Sequence, residues 1–104
     1  MNLHPSFKPF IYQIIGLFKK HKVVNACVFG SVLTNNFNKD SDVDFLVNIE
    51  EDLDPVEAGG HLRDLYHALK ELLKRDVAVL TERSLKNPYF IQELNHTKLP
   101  IYGY

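Results

Sequence analysis

Asp42 and Asp44 stand two positions apart at the front of an apolar run, in the stretch Ser41-Asp42-Val43-Asp44-Phe45-Leu46-Val47. Side chains two apart on an extended strand leave the same face. The two carboxylates therefore face one way, and Val43, Phe45 and Val47 the other. Paired acids repel each other and lose hydration when buried. A hard divalent cation removes both costs, and Mg²⁺ favours carboxylates combined with phosphate oxygens. A third acid, Asp76, opens a later apolar run, Val77-Ala78-Val79-Leu80. Laid beside the first run, it would join the other two as a further ligand and as a base for an attacking hydroxyl. Gly30-Ser31 closes another apolar run. A glycine there lets backbone approach a ligand, and a helical turn starting at Ser31 would aim N–H groups at an anion. Each feature alone is commonplace: Asp-x-Asp also marks a solvated strand end, and Gly-Ser an ordinary turn.

These residues need a sheet to hold them. Val23 to Phe29 and Val43 to Ile49 are short, apolar and rich in β-branched residues, as buried strands are. Residues 76 to 81 form a third strand, and Leu99 to Tyr102 a short edge strand, since Pro100 cannot donate in a ladder. Phe7, Phe10, Ile11, Ile14, Leu17 and Phe18 recur at helical spacing within residues 5 to 20. Leu62, Leu65, Tyr66, Leu69, Leu72 and Leu73 form a second stripe. Asp54-Pro55-Val56-Glu57 is a helix start, although Gly59-Gly60 argues for a beginning in earnest only at His61. Asn87-Pro88 begins a short helix reaching about residue 95. Residues 31 to 41 read as a helical turn and a loop. The expected class is α/β (α+β), with three core strands, a short edge strand and helices against one or both faces.

Taken together, Val28-Phe29-Gly30-Ser31, the spacer 32 to 40, Ser41-Asp42-Val43-Asp44-Phe45-Leu46-Val47 and the later Asp76 resemble the nucleotidyltransferase (DNA polymerase β-like) superfamily. The resemblance is strongest to its minimal nucleotidyltransferase family and extends over nearly the whole chain. It implies a small mixed sheet of the nucleotidyltransferase fold. It implies nucleotide binding by Gly30, Ser31 and Ser41, and two Mg²⁺ ions held by Asp42, Asp44 and Asp76. ATP would be the donor, and Asp76 would activate the acceptor hydroxyl. The chain departs from the family at Val32-Leu33-Thr34-Asn35-Asn36, where a small or basic residue and a glycine are usual.

The chain has 104 residues, 45% hydrophobic, enough for one core and one domain spanning residues 1 to 104. With 12 basic and 13 acidic residues its net charge is -1, so no general basic field invites nucleic acid. Cys27 is the only cysteine and reads as a buried strand residue. No signal peptide is legible and no apolar run nears the ~20 residues that span a bilayer, so a cytoplasmic protein is expected. An acceptor-binding second domain has no room here. The acceptor is therefore expected on a partner or in a homo-oligomer. By resemblance, the partner is a small helical HEPN-type toxin carrying a modifiable tyrosine. Two alternatives share the fold: a nucleotide-binding module that inhibits its partner by contact, and a dimeric antibiotic-type transferase. Tyr89, Phe90, Tyr102 and Tyr104 are candidates for a contact surface. His4, His21, His61, His67 and His96 show no metal-ligand spacing and are expected at the surface or at helix ends. Arg63, Lys70, Lys74 and Arg75 are expected on a solvated face with Asp64 and Glu71.

Overall fold

A computed structural model of the chain describes residue 5, residues 7–30, residue 38 and residues 40–103, with backbone alone at residues 83, 90 and 93–96. Ser31, the segment 32–36, His4 and Tyr104 lie outside the described residues, as do the side chains of Phe90 and His96. The elements run α1 (Ile11–Lys20), β1 (Val23–Phe29), β2 (Val43–Ile49), α2 (Pro55–Leu73), β3 (Val77–Thr81), α3 (Pro88–Thr97) and β4 (Leu99–Tyr102). Three-residue 3₁₀ turns precede α1 and follow β3.

The sheet is mixed, with strand order β3-β2-β1-β4. β1 pairs antiparallel with β2 and with β4. β2 and β3 run parallel, which requires a crossover between them, and α2 supplies it. β4 lies at the edge, where Pro100 is tolerated.

Alternation along the strands separates two faces. Ala26, Val28, Val43, Phe45 and Val47 join Ile14 and Phe18 of α1 and Leu65, Leu69 and Leu73 of α2 in the main core. Cys27, Phe29 and Leu46 point the other way into a smaller cluster with Leu80 and Leu85. α1 and α2 thus cover one face of the sheet. Phe45 is the hub of the main core: its ring lies 6.1 Å from Phe18, edge-on, and 6.2 Å from Phe7. Burying one such ring contributes about 1.5–3 kcal/mol.

Tyr102 packs its ring 5.7 Å from Phe18 and is partly buried, so it is an edge-of-core residue and not part of an exposed aromatic surface. Tyr89 remains exposed. α2 starts at Pro55, earlier than Gly59-Gly60 suggested. The Asp54 carboxylate accepts from the Glu57 backbone N–H at 2.9 Å, and this cap with the proline outweighs two glycines. Among the described residues no helix is long and apolar enough to cross a membrane.

Candidate active site

Asp44 lies on β2 opposite Phe29 of β1 and Ala78 of β3. Alternation puts its carboxylate on the face away from α1 and α2, while Val43 and Phe45 are wholly buried on the other. Ala78 is small and adds little bulk beside it. Gly30 follows Phe29 with φ at +83°, and a Cβ placed there would lie 2.6 Å from Asp44 Oδ2. The glycine is thus required twice: for its left-handed backbone and for the space the carboxylate takes.

Burial raises the Asp44 carboxyl above its ordinary range, and the charge of Asp42 raises it further. The structure therefore sets Asp44 next to the backbone at Gly30 and close enough to Asp42 to feel its charge. Asp42 itself is exposed, at the mouth of the strand.

Asp76 reaches the same end of the sheet by register. Its carbonyl accepts from the Val43 N–H at 3.1 Å, one step ahead of the Val43–Val77 pair. Its carboxylate, however, lies 3.4 Å from Lys70 Nζ on α2. This partner raises the Lys70 ammonium above its usual range. Among the described residues no three His, Cys, Asp or Glu side chains are gathered to hold a metal ion. The backbone of Asp76 is in place, then, and its side chain is engaged elsewhere. The donor set fits a hard cation nonetheless. Two carboxylates sharing one strand face, one of them partly buried and disfavoured as an anion, gain from a divalent charge.

Ser41 closes a tight turn. The Asn38 N–H donates to Ser41 Oγ at 3.0 Å, and the Ser41 N–H donates to the Asn38 carbonyl at 3.1 Å. Its oxygen is thus committed as a local acceptor, with the hydroxyl proton left to donate.

One expectation about charged groups is corrected, at Arg75. Arg75 does not join a solvated helix face: its Nη1 donates to the carbonyls of Asn38 at 2.8 Å and Ser41 at 3.0 Å. Arg63 pairs with Asp64 at 3.6 Å, as expected, whereas Lys70 pairs with Asp76. His21 caps the end of α1, as expected, and is only 7% exposed. Its Nδ1 lies 3.3 Å from Nδ1 of His61, and burial, then His61, lowers its pKa. The Arg75 and His21 contacts cross between segments far apart in the chain, and no local pattern signals them.

The model of the nucleotidyltransferase domain family matches residues 11–99. A Methanocaldococcus jannaschii protein named as a protein adenylyltransferase is 33% identical over 73 residues, 70% of this chain and 70% of its own length. A solved structure described as a minimal nucleotidyltransferase superposes with a TM-score of 0.71 at 28% identity, covering 91% of this chain and 92% of that one. A similar fold also appears in a solved complex of a tri-AMPylated Shewanella oneidensis HEPN toxin with an MNT antitoxin. There the TM-score is 0.61 at 21% identity, over 93% of this chain and 72% of that one, a likeness of fold. The match over most of the chain, the shared fold and the paired acids beside Gly30 lead to one conclusion: this chain belongs to the nucleotidyltransferase domain family, as a minimal nucleotidyltransferase of the adenylyltransferase type.

Proposed function

We propose that the chain transfers AMP from ATP to a hydroxyl on a small helical HEPN-type protein in the cytoplasm, and that it acts as the antitoxin of that pair. The observation that carries the reading is Asp44, seated against Gly30 and within reach of the Asp42 charge. The adenylyltransferase name of the archaeal relative and the AMPylated toxin bound to an antitoxin of this fold support the choice of group and acceptor.

Asp42 and Asp44 would hold Mg²⁺, with Asp76 as the ligand of a second ion. Bound there, the metal would supply charge stabilisation for the phosphates. Gly30 makes room for the Asp44 carboxylate, and its backbone would contact the triphosphate, with Ser31 and Ser41 as further nucleotide contacts. The acceptor oxygen attacks the α-phosphorus, pyrophosphate leaves, and Asp76 takes the hydroxyl proton. Positioning, with no covalent enzyme intermediate, supplies most of the rate. The Asp76–Lys70 pair is no obstacle. Both side chains are substantially exposed, at 73% and 47%, and exposed pairs are held only weakly against water. A divalent ion readily outcompetes the Lys70 ammonium for the carboxylate.

The decisive experiment incubates the chain with ATP labelled at the α-phosphate, Mg²⁺ and the HEPN-type protein encoded beside it. Label is expected on the partner, with loss of at least about 100-fold in Asp42→Ala and Asp44→Ala, the scale on which small misplacements already act. No transfer, together with tight partner binding that neither substitution weakens, would establish inhibition by contact instead. The engagement of Asp76 by Lys70 is the one observation that favours this second reading.

A further inference from the structure

The geometry points to Arg75 as a positioning residue that sets the Ser41–Asp42 peptide, and through it the Asp42 carboxylate, against the entry of β3. The inference rests on the reading of Asp42 as a metal ligand. Arg75 immediately precedes Asp76, and its Nη1 bridges two carbonyls on the other side of the site, Asn38 at 2.8 Å and Ser41 at 3.0 Å. The Ser41 carbonyl belongs to the peptide bond that carries Asp42. The next residue, Val43, donates from its N–H to the Asp76 carbonyl. β2, which begins just after Asp42 and carries Asp44, and β3, which Asp76 leads into, are thus joined at their entries by one ladder bond and one guanidinium fork.

The fork has a reason to be an arginine. The Asn38 carbonyl already accepts from the Ser41 N–H inside the turn and offers Arg75 its second lone pair, and the Ser41 carbonyl takes the other N–H. A guanidinium nitrogen carries two N–H groups in a fixed plane and serves both acceptors at once. Hydrogen bonds from a charged donor are roughly twice as strong as neutral ones. Arg75 is partly buried, which limits competition from water. A loop held at one end by β2 and at the other by this fork has little freedom to move Asp42. An exposed acid on such a loop would otherwise sample many positions, and displacements of roughly 1 Å cost catalysis about 100-fold.

The test compares the full-length chain with Arg75→Ala and Arg75→Met, the second keeping the apolar stem so that a folding defect in the first does not decide the matter. Amide hydrogen exchange and the transfer assay are both read. Exchange at Ser41 and Val43 is expected to accelerate at least about tenfold, with Val28 and Phe45 unchanged. In the assay kcat is expected to fall about 10- to 100-fold, with KM for ATP within about twofold. Unchanged exchange at Ser41 overturns the inference. So does faster exchange throughout the sheet, which marks general support of the fold, or a raised KM with unaltered kcat, which marks a nucleotide contact. A wild-type chain that transfers no nucleotide brings down the proposed function separately, and the exchange pattern still decides the role of Arg75.

Discussion

Asp44 is in tension with its surroundings. Burial and Asp42 together lift its folded pKa, so the fold holds its proton more tightly than the unfolded chain, which ionises near 3.8. Between those two values the folded state binds the extra proton. Stability therefore declines as pH rises through that window, and the deficit persists at neutral pH. Asp44→Asn removes the charge at nearly constant shape. Its expected outcome is a higher Tm than wild type at pH 7 without Mg²⁺, a gap that narrows when Mg²⁺ is added to the wild type. Transfer activity is expected to fall by at least about 100-fold. Scanning calorimetry with and without metal checks the first part, and a Tm below that of wild type in metal-free buffer would contradict it. The same tension explains why Gly30 admits no side chain: space beside the carboxylate is already taken.

At the scale of elements, α2 decides where β3 begins. Asp54 caps its first turn, and Lys74 ends it in the left-handed region with φ at 54°. The chain then turns through Arg75 into Asp76, so the length and register of this helix deliver two site residues to the entry of β2. Replacing Asp54 with alanine removes a cap that satisfies the Glu57 N–H. The expected loss is about 1 kcal/mol in urea unfolding, with an unchanged m-value. Transfer at saturating ATP is expected to stay within about twofold, because the cap lies at the far end of the helix from Asp76. A large loss of activity without loss of stability would show that α2 transmits more than position.

Over the whole molecule, the two helices on one face are tied together by a pair of histidines. His21 at the end of α1 and His61 in α2 meet edge-on, with ring centroids 5.5 Å apart. Burial lowers the His21 pKa, with His61 and Lys20 adding to the effect and Asp64 opposing it. The folded state therefore resists the proton that the unfolded chain accepts near 6.5. Stability is complete above that value and is lost as pH falls below it, until the folded pKa is reached. Chemical denaturation at pH 7.5 and at about pH 5 is expected to show this loss in the wild type and a smaller one in His21→Gln. Equal pH dependence in both proteins would remove His21 as its source. The histidines lie off the Asp42–Asp44 face, so this loss is one of stability and not of chemistry.

Much of this protein was legible before folding, because alternation and helical spacing are local. Val43-Asp44-Phe45 places acid and apolar side chains on opposite faces whatever the neighbours are, and the stripe from Leu62 to Leu73 buries one side of a helix in any α/β setting. The strand limits of β1 and β2 and the edge position of β4 followed from apolar runs and from Pro100. What local patterns do not carry is the meeting of side chains from distant segments. Lys70 took Asp76, Arg75 took the turn at residues 38 and 41, and His21 went inward to His61. Long polar side chains choose partners by proximity in space, and that proximity exists only after β2 and β3 have paired and α2 has packed across them. The amino-acid order by itself determined which residues are equipped for phosphate and metal chemistry and on which strand face they stand. The tertiary structure alone decided which of their neighbours hold them, because a charge a few ångströms away is set by packing and not by spacing along the chain.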